Sequence, residues 1–243
     1  MLILINKRFL KKIVIAILFI IIMITGGIIY SKNNTTKQTL NYDIFMKPIN
    51  RGNPSSGYTA FACNVDWGNE VIEDILNILK EKDTKITFFV TGRWAKLFPE
   101  IFDTIIKEGH EIGSHGNQHL DYGTLSFEEN KSQIEKAEEI ILKQTGVKPI
   151  LFAPPSGAYN NNTLQAASEL GYKTILWTID TIDWKQGSTK DIILKRVLDK
   201  PDHNGAIILM HPMPETAKAL PYLIDELKLK NLKVGTVSNV LSD

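Results

Sequence analysis

Between Ile13 and Tyr30 the chain reads IVIAILFIIIMITGGIIY, 18 residues without a charge. That is close to the ~20 residues a helix needs to cross a bilayer, where it satisfies its own backbone groups. Lys7, Arg8, Lys11 and Lys12 precede the run, and only Lys32 follows closely. Basic residues stay on the cytoplasmic side, so the pattern predicts a single-pass anchor with a cytoplasmic amino terminus. A cleaved signal peptide would need a shorter apolar core and a small-x-small site, and Gly26 and Gly27 make a poor one. Residues 31–56 are polar and turn-rich with no sustained period, which predicts an extracytoplasmic stalk. The expected organisation is anchor 1–30, stalk 31–56 and main domain 57–243.

From residue 57 the apolar pattern alternates between period two and period 3.6. Strand-like runs are Tyr58–Val65, Ile86–Thr91, Glu111–Ser114, Ile150–Ala153, Thr174–Thr178, Ala206–Met210 and Lys233–Thr236. Between them, Val71, Ile72, Ile75, Leu76 and Leu79 share one helical face. Trp94, Leu97, Phe98, Ile101, Phe102 and Ile105 share another. Ser126 with Glu129 makes a capping box before a helix around Phe127–Gln144, and Ser188 with Asp191 resembles another helix start. Gly146 and Gly171 stand where helices should stop. Seven strands alternating with about six helices imply an α/β fold with parallel pairing. An open doubly wound sheet and a closed barrel both fit.

Charge narrows the class of partner. Of the 28 Lys+Arg and 27 Asp+Glu, eight and one fall in residues 1–56, so the remainder carries 20 and 26, a net of −6. A net-acidic domain argues against a nucleic-acid partner. Cys63 stands alone, so no intrachain disulfide forms.

Polar residues cluster where the strands end: Asn64 and Asp66, Arg93, His115 and His119, Asp180 and Asp183, and His211. In either architecture those ends carry the active site. His115 and His119 are four apart, and on a helical turn both reach one metal. The plainer alternative is one His capping the turn and one exposed. Asn64 and Asp66 share a face if the strand runs through them. Asp66 then completes a two-His, one-carboxylate set, or else caps the helix that starts near Asn69. Asp183 beside His211 suits a general acid, with a structural hydrogen bond as the alternative. Trp67 and Trp184 offer flat faces for stacking on a sugar ring, whereas Trp177 and Trp94 suit the core. His110 and His203 are expected to stay outside any metal site.

In this order the pieces resemble the polysaccharide deacetylases of the NodB-homology type (carbohydrate esterase family 4), over about residues 57–240. The counterparts of the family's five motifs are Asn64–Asp66, His115 with His119, Ala153-Pro154-Pro155-Ser156-Gly157, Asp180–Trp184, and Ile208–His211. The Asn-Val-Asp-Trp-Gly and Ala-Pro-Pro-Ser-Gly stretches are most similar to the membrane-anchored, sporulation-linked subgroup. The resemblance implies a distorted (β/α)7 barrel and hydrolysis of N-acetyl groups on amino sugars of a cell-wall glycan, with peptidoglycan the expected substrate. It implies one divalent metal, Zn²⁺ first, with Co²⁺, Fe²⁺ or Ni²⁺ as alternatives, held by Asp66, His115 and His119. His211 would be the acid and Asp183 its orienting partner. Trp184, Pro155, Trp67 and Asp180 would line the groove.

Two positions depart from the family. The base position holds Asn64, whose amide accepts no proton near neutral pH, and the Arg that normally pairs with the base is Ala153. The losses are coherent, because an Arg without its carboxylate would be an unpaired buried charge. Three consequences follow as alternatives. Asp66 serves as base, His211 performs both proton transfers, or the protein binds glycan without hydrolysing it.

Overall fold

The computed structural model describes residues 19–32 and 46–242. The chain divides into two compact units, Met1–Ile44 and Phe45–Asp243. In the first, residues 19–32 form a helix, α1, whose apolar side chains such as Phe19, Ile22 and Met23 are exposed. The expected anchor begins at Ile13, and its first six positions lie outside the described residues. Among the described residues no helix is long and apolar enough to cross a membrane.

The second unit is built on an entirely parallel sheet. Its strands are β1 (Tyr58–Val65), β2 (Thr87–Val90), β3 (Glu111–Ser114), β4 (Leu151–Phe152), β5 (Lys173–Thr174), β6 (Ile179–Asp180), β7 (Ile207–Met210) and β8 (Lys233–Gly235). They run in the order β5-β4-β3-β2-β1-β7-β6, with β8 also paired to β1. The sheet curls into a partial barrel that is open between β5 and β6. The expected run Thr174–Thr178 is therefore not one strand, because the chain breaks there into β5 and β6. Ile49 bridges this seam, donating its N–H to the Thr174 carbonyl and accepting from Leu176, both at 2.8 Å. Arg51 forms a second bridge to Ala206. The last residues of the expected stalk thus hydrogen-bond into the domain.

β1 is central and buried at every position after Tyr58, as expected of a parallel strand covered on both faces. Its alternation sorts the core. Phe61, Cys63 and Val65 face the outer helices, packing with α2 (Asn69–Glu81) and α8 (Pro214–Leu229). Ala60 and Ala62 face the barrel interior with Phe89, Leu151 and Ile207, closed from below by α9 (Val237–Leu241). A smaller cluster of Tyr122, Ile134, Phe152 and Tyr172 lies beneath α5 (Phe127–Thr145) and α6 (Asn161–Glu169).

The helices follow their sequence signals, with two corrections. The apolar face from Trp94 to Ile105 is divided between α3 (Gly92–Leu97) and α4 (Pro99–Lys107). Pro99 sits at the first turn of α4, where a missing N–H is harmless but continuation of the preceding helix is not. Leu97 is left exposed at the break. α7 (Lys190–Leu198) is capped by Thr189 rather than Ser188, whose hydroxyl donates to the Ile182 carbonyl. The Ser126–Glu129 capping box of α5 is complete, and Gly146 ends that helix at φ 72°.

His110 enters β3 fully packed, with its Nδ1 accepting from the Ile86 N–H at 3.3 Å and its ring edge-on to Phe88. Burial first, and Lys85 second, push its imidazole from 6.5 down to about 4. Between those values the unfolded chain binds a proton that the folded chain does not, so stability falls as the pH falls. Urea unfolding of the wild type from pH 7 to pH 4 should lose stability progressively. His110→Asn, which keeps the acceptor, should flatten part of that slope, and an unchanged slope would contradict the assignment.

Candidate functional site

The strand ends converge on a cavity of about 500 Å³. Asn64, Trp67, His115, His119, Asp180, Trp184 and His211 line it, together with Ser156, Trp177, Leu209 and Met213. Seven of the ten expected site residues therefore line one cavity, and Asp66, Asp183 and Pro155 do not. Pro155 is buried, and its neighbour Ser156 takes the lining position at φ 55°. Trp177, expected in the core, is half-buried and forms part of the wall. Gly157 turns beneath it at φ 66°, where a Cβ would come within 2.6 Å of the Trp177 ring. Trp94 is buried in the core as expected.

The acid side of the cavity is tightly built. Asp183 is buried on the β6–α7 connection, and its Oδ1 lies 2.8 Å from His211 Nδ1. Its Oδ2 accepts from the His211 backbone N–H and from the Thr216 hydroxyl, both at 2.7 Å. Trp67 stacks on His211 at 5.5 Å and 11°, and meets His119 edge-on at 5.6 Å. Imidazole orientation is thus fixed from both its edge and its face. Asp180 borders the cavity while its Oδ1 caps the Ile182 N–H at 2.8 Å, stabilising a tight turn with Ile182 at φ 50°.

The histidine pair sits in an irregular bend rather than on a helical turn, with ring centroids 5.3 Å apart at 70°. Gly116 permits this bend at φ 74°, where a Cβ would collide with the Tyr122 hydroxyl. His115 is fully buried, and its Nδ1–H donates to the Ala153 carbonyl at 2.7 Å. Burial, reinforced by His119, pushes its pKa down to about 3 despite that hydrogen bond. It is neutral at physiological pH, with Nε2 carrying the lone pair.

The carboxylate side differs from expectation. β1 stops at Val65, one residue before Asp66, and of the two only Asn64 lines the cavity. Asn64 points its amide toward the cavity, and its buried Oδ1 has no hydrogen-bond partner. Asp66 does not cap α2, whose N-cap is Gly68. Its side chain, 3% exposed, is gripped by Arg93 in a two-point fork. Arg93 Nε donates to Oδ1 at 2.7 Å and Nη2 donates to Oδ2, while the Thr91 hydroxyl adds a 2.6 Å bond to Oδ1. Burial by itself would raise the Asp66 pKa, but the Arg93 and Thr91 hydrogen bonds and the Arg93 charge outweigh it and lower the net value.

The donor set for a metal is therefore split. The histidine arm suits one, because an imidazole locked through Nδ1 offers Nε2. The carboxylate arm does not fit, since both Asp66 oxygens are engaged by Arg93. Among the described residues no group of three His, Cys, Asp or Glu side chains is arranged to hold a metal ion. Arg93 stands out in the sequence only as a polar strand-end residue, and Thr216 and Met213 do not stand out. The partners of Arg93 and Thr216 lie 27 and 33 positions away, so no local spacing signals them.

A family model described as polysaccharide deacetylase matches residues 56–175. The Bacillus subtilis protein YlxY, of uncharacterised function, is 42% identical over 197 residues, or 81% of this chain and 61% of that protein. The chain thus spans less than two thirds of that relative's length. The peptidoglycan-N-acetylmuramic acid deacetylase PdaA of Bacillus subtilis is 31% identical over 180 residues, covering 72% of this chain and 68% of PdaA. The crystal structure of a CE4 family pseudoenzyme from Bacillus anthracis is 40% identical, with a TM-score of 0.78 over 81% of this chain and 69% of that one. A mutant of that pseudoenzyme, described as having restored enzymatic activity, also superposes with a TM-score of 0.78, at 39% identity over 81% of this chain and 71% of the mutant.

Thr216 is buried, and Asp183 depends on its hydroxyl. Thr216→Val should therefore cost about 1.5–3 kcal/mol, the range for a hydrogen bond to a charged group. Thr216→Ser should recover most of it in urea unfolding, and a Val variant as stable as wild type would contradict the dyad as drawn.

Proposed function

The chain belongs to the polysaccharide deacetylase family, and from that premise we propose that it is a membrane-tethered, glycan-binding member whose hydrolytic centre is silent as folded. The observation that carries this reading is the state of the two carboxylate positions. Asn64 has no carboxylate to take a proton, and Asp66 is committed to Arg93 and Thr91. The sugar-facing wall is retained: Trp67 and Trp184 present exposed ring faces beside Asp180 and the His211 imidazole. A buried acceptor without a partner, Asn64 Oδ1, suits an N–H or O–H of a bound amino sugar.

Relatives named for acting on peptidoglycan support that polymer as the ligand. The charge-free run Ile13–Tyr30 and the bases before it support an anchor holding the domain outside the cytoplasmic membrane. The motif resemblance to the sporulation-linked subgroup supports a role when the wall is remodelled during spore formation. The Bacillus anthracis neighbour, named a pseudoenzyme, supports silence, and a mutant of it is described as having restored enzymatic activity.

A second reading, a slow metal-dependent N-deacetylase, is favoured by the intact Asp183–His211 pair. It requires Arg93 to leave Asp66. Lacking a general base, such an enzyme would run roughly 10²–10⁴-fold below a complete one.

Isothermal titration of the detergent-solubilised protein with chitooligosaccharides and soluble peptidoglycan fragments, alongside an acetate-release assay with added Zn²⁺ or Co²⁺, separates the readings. Binding is expected on at least one ligand, about tenfold weaker in Trp184→Ala, with no acetate above the metal-free control. Acetate release would establish the second reading, and absence of binding to both ligands would overturn the first.

A further inference from the structure

We infer that Arg93 is a built-in counter-cation that occupies Asp66 in place of a metal and sets how weakly this site binds one. The inference deepens the silent-site reading and rests on it.

The fork is anchored from three directions. The β2–α3 turn is tied to the histidine loop by two backbone hydrogen bonds, Gly92 N–H to Gly116 O at 2.9 Å and Arg93 N–H to Asn117 O at 3.0 Å. The Thr91 N–H reaches back to the Val65 carbonyl at 3.1 Å, beside Asp66 itself. At Gly92 a Cβ would come within 2.8 Å of Asn117 Oδ1 and 3.1 Å of the Ala137 backbone, so this turn is pressed against its neighbours. The Arg93 backbone therefore cannot retreat. Its side chain can, because it is 49% exposed, whereas Asp66 is 3% exposed. A guanidinium can swing into solvent, but a buried carboxylate left without a countercharge is strongly disfavoured. Arg93 releases Asp66 only if another cation takes its place.

Charge counting gives the direction. Asp66 brings one negative charge, and Arg93 cancels it. Asn64, two residues earlier and lining the cavity, brings none. A divalent ion reaching His115, His119 and Asp66 would have to displace the fork and then sit near the displaced guanidinium with a single carboxylate to balance both. Repulsion between like charges at such range, in a partly desolvated cleft, opposes binding. Asn64 and Arg93 thus act in the same direction, one by withholding a negative charge and the other by consuming the charge that remains.

The test is metal affinity, read independently of turnover. The detergent-solubilised full chain, stripped of metal, is titrated with Zn²⁺ by calorimetry and with Co²⁺ by visible absorption. Arg93→Met removes the charge while keeping the stem, and Arg93→Gln retains a donor toward Asp66 should the Met variant not fold. Arg93→Lys keeps the charge. Either neutral variant is expected to bind one ion per chain at least about tenfold more tightly than wild type, the lower end of what partners of a metal ligand contribute. Arg93→Lys, which keeps the charge but not the two-point fork, should fall between wild type and the neutral variants. The gain should vanish in Arg93→Met/Asp66→Asn and Arg93→Met/His115→Ala. Equal affinity in wild type and both neutral variants would overturn the inference, as would a gain that survives loss of Asp66. Glycan binding by the metal-free wild type reports on the silent-site reading by itself, so failure of one is distinguishable from failure of the other.

Discussion

A buried carboxylate must be neutralised, and at the end of the central strand the chain meets that demand from within. Asp66 sits just past β1, beneath the surface and beside two histidines, where isolated charge is strongly disfavoured. The chain answers with Arg93, presented by the first turn of the helix that follows the neighbouring strand. Because β1 and β2 run parallel in register from Ala62 with Thr87 to Val65 with Val90, both strands end at the same level. Their following turns therefore face one another. The ion pair is a consequence of parallel topology as much as of residue choice.

The same logic accounts for the inner wall. By the motif resemblance, Ala153 stands where the family carries an Arg and Asn64 where it carries a carboxylate. Two groups that would each be costly alone are absent together, and Ala153 belongs with Ala60 and Ala62 to the apolar cluster of the barrel interior. The Ala153 backbone keeps a task its side chain does not have, since its carbonyl fixes the His115 ring. On the opposite wall Asp183 holds three donors and orients His211. The site thus holds an ordered carboxylate–imidazole pair on one wall, while the two positions at the end of β1 are a neutral amide and a carboxylate paired with arginine.

Much of this was legible in the sequence. Period-two runs located most of the strands, and their polar ends named Asn64, His115, His119, Asp180 and His211, five of the eleven residues that line the cavity, because parallel topology forces strand ends together. The failures have specific physical causes. A proline at 99 divided one apolar face into two helices, and residues 174–178 split because Ile49 fills the seam from outside the strand count. Asn64 and Asp66 read as one strand pair in the sequence, but β1 ends between them and only Asn64 lines the cavity. Arg93 and Thr216 lie 27 and 33 positions from their partners. Periodicity carries no signal over such separations, so only the folded chain assigns Arg93 its partner.

The central claim, that an arginine serves as the counter-cation of Asp66, is tested most directly by a crystal structure of the wild-type protein freed of metal with EDTA. The account predicts the two-point fork from Arg93 to the Asp66 carboxylate. A guanidinium turned out to solvent, with the buried carboxylate left without any cation, would contradict it.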